Sequence, residues 1–138
     1  MPVIGMDITS IEGKRSNETS KNLRVENGPR IKNVTTKKIN SLGKEVLDID
    51  FEYECLYRVS EKKKPFANIT IKGNVLFLSE DVKETIKKWK KNKKLEQKVA
   101  LPVLNNIIRR CLTKIINISE ELKLPPPIRF PVAKPSEE

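Results

Sequence analysis

The alternation of apolar and polar positions divides the chain into three stretches of different character. Residues 1–45 are polar with short β-like runs, Ile4 to Ile11, Leu23 to Val25 and Ile31 to Ile39, and Asn27-Gly28-Pro29 is a turn signal between the last two. These runs predict two weak strands in an irregular region, the later one long and broken. The pattern sharpens over residues 46–78, where Ile49, Phe51, Tyr53, Cys55, Tyr57 and Val59 alternate with Asp48, Asp50, Glu52, Glu54 and Arg58. After a charged turn at 60–65 the alternation resumes through Ala67, Ile69, Ile71, Gly73, Val75 and Phe77. A period of two marks a half-buried strand, and two such strands in succession make a hairpin. A turn centred near Lys63 sets Tyr57 against Ile69, Cys55 against Ile71, Phe51 against Val75 and Ile49 against Phe77, with Glu54 opposite Lys72 on the other face.

The period then becomes helical. Over 79–94, Ser79 is the expected N-cap, Glu80 and Asp81 fall in the first turn, lysines gather at the far end, and Val82, Ile86 and Trp89 form a narrow stripe. A longer helix is expected over 101–118, opened by Pro102. At about 100° per residue, Val103, Leu104, Ile107, Ile108, Cys111, Leu112, Ile115, Ile116 and Ile118 cover roughly 220° of its circumference. Covering one sheet needs a stripe little wider than about 100°, so this helix wants two apolar partners. The second is either another subunit or the short helix and tail; the few elements left in the chain point to a subunit. Residues 122–134 contain Pro125, Pro126, Pro127 and Pro131 and are expected to be extended. They form either a strap over their own fold through Leu124, Ile128, Phe130 and Val132 or a polyproline II ligand for another domain.

Length and composition bound what such a chain can do. With 138 residues it fits one domain and one core. No run approaches the roughly 18 apolar residues of a membrane span, and the start lacks the pattern of a signal peptide, so a cytoplasmic location is expected. There is no histidine, and the two cysteines are Cys55 and Cys111. Cys/His zinc sites, serine triads and Cys-His dyads are thereby excluded within one chain, and no cofactor is expected. Both thiols fall on apolar faces and read as core. The formal net charge is +10, but lysine supplies 21 of the 28 basic residues, whereas base-edge recognition favours arginine.

Three features remain as candidate chemistry. Asp48, Asp50, Glu52 and Glu54 line one strand face, a ladder that in principle holds a hard cation or moves protons and otherwise is a solvated surface. The run around Lys87, Lys88, Trp89, Lys90 and Lys91 is the best nucleic-acid candidate, although Trp89 completes the apolar stripe and so belongs to the core. Leu56, Leu76 and Leu78 break the polar face of the hairpin, either beneath a neighbouring segment or as a binding patch.

Strands, a long hairpin, an apolar helix opened by proline and a Leu-x-Leu-Pro close occur here in one order. The carrying residues are Ala67-Asn-Ile-Thr-Ile-Lys-Gly-Asn-Val-Leu-Phe-Leu78, Ala100-Leu-Pro-Val-Leu-Asn-Asn-Ile-Ile-Arg-Arg-Cys-Leu112 and Leu122-Lys-Leu-Pro-Pro-Pro-Ile-Arg-Phe130. This order resembles the SecB family of export chaperones from about Val46 to Phe130. The resemblance implies an α+β fold in which a four-stranded antiparallel sheet carries the long C-terminal helix on one face. It also implies dimers or tetramers that sandwich helices between sheets. The implied function is that of a non-enzymatic, ATP-independent holdase for unfolded or preprotein clients, in export or in antitoxin protection. Clients would meet Val25, Val34, Leu42, Leu56, Leu76, Leu78, Ile128 and Phe130, and subunits would meet through Val103, Ile107, Ile108, Leu112, Ile115 and Ile116. A charge of +10 departs from the acidic motor-docking surface of the bacterial export members. The alternative reading is a basic nucleic-acid-binding module using Lys87, Lys88, Lys90 and Lys91.

Overall fold

A computed structural model describes residues 3–17, 23–41, 43–59, 64–128, 131, 133 and 135. Four strands, β1 (Val3–Arg15), β2 (Leu23–Ile39), β3 (Lys44–Val59) and β4 (Ala67–Phe77), precede two helices, α1 (Val82–Asn92) and α2 (Gln97–Glu121). The strands form one antiparallel sheet in the order β1-β4-β3-β2. The chain therefore has the expected fold class, a four-stranded antiparallel sheet with a long C-terminal helix.

The core is built from the period-two faces of the central strands. Ile49, Phe51, Tyr53, Cys55 and Tyr57 of β3 and Ile69, Ile71 and Val75 of β4 are buried on one face, beneath Val99, Val103, Ile107, Cys111 and Ile115 of α2. The hairpin register differs from the expected one by two residues. Cys55 faces Ile69, Tyr53 faces Ile71, Ile49 faces Val75, and Lys72 lies opposite Glu52. A shift of two preserves which face every side chain occupies, so alternation cannot detect it, whereas a shift of one would invert the core.

The N-terminal region holds two long strands in place of weak and irregular ones. No turn forms at Asn27-Gly28-Pro29, and β2 runs straight through, with Gly28 opposite Glu54 and Pro29 opposite Tyr53. The reason lies in the topology. As an edge strand β2 has one row of backbone groups with no strand partner, and proline, lacking an N–H, is tolerated on an edge. The other edge strand, β1, bulges between Ile8 and Ser10, opposite Gly73. A Cβ placed on Gly73 would lie 2.1 Å from the Asp7 carbonyl oxygen and 3.0 Å from Phe51 Cζ, so β1 reaches β4 only because that side chain is absent.

The N-cap of α1 is Asp81 rather than Ser79. An Asp81 carboxylate oxygen accepts from the Glu84 N–H at 3.2 Å, while Ser79 Oγ accepts from the Asp81 N–H at 3.3 Å, one turn earlier than a cap would act. Trp89 is buried, with Val82 and Ile86 packed beside it, as the stripe requires. The second helix begins four residues before the expected start and ends on a reversal at Lys123, which adopts a left-handed φ of 55°. There the Leu124 N–H donates to the Ser119 carbonyl at 2.8 Å and the Lys123 N–H to the Glu120 carbonyl at 3.1 Å, a Schellman closure with lysine in glycine's usual place. The tail then straps onto the body. Leu124 is buried, Tyr57 Oη donates to the Pro125 carbonyl at 2.6 Å, and Arg15 Nη1 donates to the Leu122 carbonyl at 2.7 Å.

Candidate functional site

The apolar residues proposed for ligand contact divide between the two faces of the sheet. Val25 lies opposite Tyr57 and Val34 opposite Ile49, which places both on the helix-covered face. Val34 is buried at 4% exposure and belongs to the core, so it offers no contact surface within this chain; Val25 is half-buried. Leu56 and Leu76 do occupy the opposite face, beside Asn68 and Asp48 respectively, and both are half-buried. Asn68 and Leu76 stand eight residues apart on β4, so at about 3.4 Å per residue the two leucines are roughly 27 Å apart and form no single patch. Ile128 is 38% exposed in the tail. Leu42 and Phe130 lie outside the described residues.

Leu78 has the best-defined surroundings. It follows β4 at the junction with α1, is 38% exposed, and lines an open cleft of about 820 Å³ together with Lys44, Glu45, Ser79, Glu80, Asp81, Val82 and Lys83. A second cleft of about 240 Å³ meets it from the α2 side, lined by Phe77, Leu78, Lys98 and Val99 among others. An apolar floor rimmed by charged side chains results, a shape suited to an extended segment with apolar residues.

The long helix presents two parallel apolar stripes. Val99, Val103, Ile107, Cys111, Ile115 and Ser119, spaced by four, are buried against the sheet. Val103, Ile107 and Ile115 have no exposed surface, so they cannot be subunit contacts as expected; the sheet of their own chain uses them. One residue further on runs the second stripe, Leu104, Ile108, Leu112 and Ile116, each half-buried, and Leu101 at the helix start is 56% exposed. Three of the expected interface residues, Ile108, Leu112 and Ile116, therefore lie on the side still open. Leu101 and Leu104, outside the expected set, also present apolar surface. Leu104 continues the four-residue spacing of Ile108, Leu112 and Ile116, displaced by one from the core stripe, whereas Leu101 lies off it.

Among the described residues the acidic ladder is engaged in local pairs. Asp48, Asp50, Glu52 and Glu54 lie on the open face of β3, but Asp48 accepts from Asn74 Nδ2 at 2.9 Å and Glu52 pairs with Lys32 at 3.6 Å. Burial and then the neighbouring Asp48 charge push the Asp50 carboxyl above its ordinary value. Among the described residues no cluster of Cys, Asp or Glu has the arrangement to hold a metal ion. Cys55 and Cys111 are both free and buried in the core. Burial pushes the Cys111 thiol up to about 11 and raises that of Cys55, so neither is a ready nucleophile. Tyr53, whose hydroxyl donates to Asn27 Oδ1 at 2.6 Å, is pushed up to about 12, chiefly by burial.

The basic helix shows its lysines outward and its aromatic inward. Lys87, Lys88, Lys90 and Lys91 are exposed. Lys88 is paired with Glu96, Trp89 is 6% exposed, and Lys93 sits over its ring at 5.6 Å. A tryptophan so placed cannot stack on a base, which removes half of the nucleic-acid constellation.

The element order, the sheet topology and the long C-terminal helix define a SecB-like fold. The particular likeness is to the Mycobacterium tuberculosis SecB-like chaperone Rv1957 in complex with a ChAD peptide from the Rv1956 HigA1 antitoxin. It extends over 97% of this chain and 91% of that one, with a TM-score of 0.59 and 9% sequence identity. No protein-family model and no curated sequence matches the chain.

Proposed function

We propose that this chain is an ATP-independent holdase that binds unfolded segments of other proteins in the cytoplasm and works as a homo-oligomer. The observation that carries the reading is the shared fold, because the neighbour that matches along 97% of this chain holds a peptide. The local chemistry agrees. Apolar surface remains at Leu78, Leu101, Ile4, Ile11 and Ile128, each at least 38% exposed, and stands among charged side chains that keep such a surface soluble. The described residues contain no metal cluster and no activated nucleophile for a competing enzymatic reading to use.

In this reading the clefts around Leu78 receive client residues, and the stripe of Ile108, Leu112 and Ile116, extended by Leu104, joins subunits. The test is aggregation of chemically denatured client proteins, followed by light scattering, with the chain added and ATP omitted. Suppression at equimolar chain or below is expected for several unrelated clients. Unchanged aggregation across the panel would overturn the reading.

A further inference from the structure

The lysines at the C-terminal end of α1 fall into two groups. Lys88 pairs with Glu96, and Lys93, at the left-handed end of the helix, lies over the Trp89 ring at 5.6 Å. Lys87, Lys90, Lys91 and Lys94 are exposed and make no ion pair among the described residues.

The helix itself aims this second group outward. Thr85 and Trp89 are the buried residues of α1. Lys87 stands two residues from each of them and Lys91 two residues past Trp89, so at about 100° per residue both point to the opposite side. Lys87, Lys90 and Lys91 share an arc of about 100°, with Lys90 and Lys91 each roughly 5–6 Å from Lys87 at Cβ, and Lys94 follows just past the helix end. Like charges at this spacing repel. The helix dipole offsets Lys90 and Lys91 in the last turn, and the one acid of the helix, Glu84, stands in its first turn. The row is also free of the other helix, since no Cα of α1 comes within 8 Å of a Cα of α2. A subunit seated on Ile108, Leu112 and Ile116 therefore does not need to cover it.

We propose that the outward lysine row of α1 is a docking surface for an anionic phospholipid membrane, which it meets by charge alone and without insertion. The proposal goes beyond the holdase reading and does not depend on it. An anionic plane relieves the repulsion along the row, and lysine, a compact and strongly hydrated point charge, suits attraction in which each ammonium keeps its water. A nucleic acid fits less well. The row contains no arginine, and no aromatic side chain among the described residues is exposed for a base to stack on.

The test is cosedimentation of the full chain with vesicles of phosphatidylcholine alone or mixed with an equal amount of phosphatidylglycerol. At about 0.05 M salt the chain should bind the anionic vesicles and leave the neutral ones, and by about 0.5 M the binding should be lost. Each lysine near such a surface strengthens binding about fivefold, so combined Lys87→Gln, Lys90→Gln and Lys91→Gln substitutions should weaken it about a hundredfold. Removing the same charge from exposed positions elsewhere, by Lys37→Gln, Lys64→Gln and Lys72→Gln, should weaken it about tenfold or less. Circular dichroism checks that both variants fold. Equal weakening by the two variants would reduce the effect to net charge and overturn the proposal, as would equal binding to neutral vesicles or no binding at low salt. If poly(U) RNA binds as tightly as the anionic vesicles and loses as much on the α1 substitutions, the row belongs to nucleic acid and the proposal fails. None of these outcomes alters the aggregation assay, so the holdase reading stands or falls separately.

Discussion

Gly73 carries more of the sheet than its size suggests. The backbone of β1 passes so close that a Cβ would lie 2.1 Å from the Asp7 carbonyl oxygen, and backbone cannot move aside as a flexible side-chain end can. Gly73→Ala is expected to destabilise the chain by about 2 kcal/mol or more, within the range for overpacking, and to raise hydrogen exchange along β1; urea denaturation and exchange measurements check both. Cys111 makes a different prediction. Its ordinary value is 9.0 and burial lifts it to about 11 in the folded chain, so between these values the unfolded state has lost a proton that the folded state keeps. Stability is therefore complete below about pH 9 and declines as pH rises toward 11, and Tyr53 and Cys55 shift in the same sense. The pH dependence of the denaturation midpoint should be shallower in Cys111→Ala than in the parent chain. A curve unchanged by the substitution would remove the thiol from the account.

At the scale of elements, the two helices end in the same unusual way. Lys93 and Lys123 both adopt left-handed backbone, with φ of 56° and 55°, where glycine carries no penalty. The left-handed conformation costs a side chain roughly 1–2 kcal/mol, part of which glycine returns through its more flexible unfolded state. Lys123→Gly should therefore stabilise the chain by a net amount of about 0.5–1 kcal/mol, read as a higher denaturation midpoint. The surface of α2 supports a second prediction at this scale. Ile107 has no exposed surface, whereas its neighbour Ile108 is half-buried. Combined Ile108→Glu and Leu112→Glu substitutions should leave helical circular dichroism intact yet lower the mass in solution, and an unchanged mass would locate the subunit contact elsewhere. One stripe of the helix is consumed by the sheet of its own chain, because Val103, Ile107 and Ile115 are fully buried there.

At the scale of the molecule, Lys87, Lys90 and Lys91 of α1 are exposed, while the open face of the sheet pairs Lys32 with Glu52 and Arg58 with Glu26. If subunits close the second stripe, light scattering should return an integral multiple of 15.8 kDa, dimer or higher, under the conditions in which aggregation is suppressed. A mass of 15.8 kDa with full suppression would separate client binding from assembly. Fold and sequence are also far apart here, since a likeness with a TM-score of 0.59 accompanies only 9% identity. Patterns of burial tolerate exchange of one apolar residue for another, so they outlast the residues themselves.

Those patterns are what the sequence by itself determined. Period two over 46–78 and the two-stripe helix give the hairpin, its inner face, the buried cysteines and the fold class, because each follows from whether a side chain meets water. The tertiary structure decided what depends on neighbours distant in the chain. It set the hairpin register, since a two-residue shift keeps every face unchanged. It carried β2 through Asn27-Gly28-Pro29, since an edge strand tolerates proline. It assigned Val34 to the core and Leu78 to the mouth of two clefts, and it showed that Leu56 and Leu76 stand on one face without meeting. Alternation in a sequence reports which side of a sheet a residue occupies; what covers that side is settled only when the elements pack.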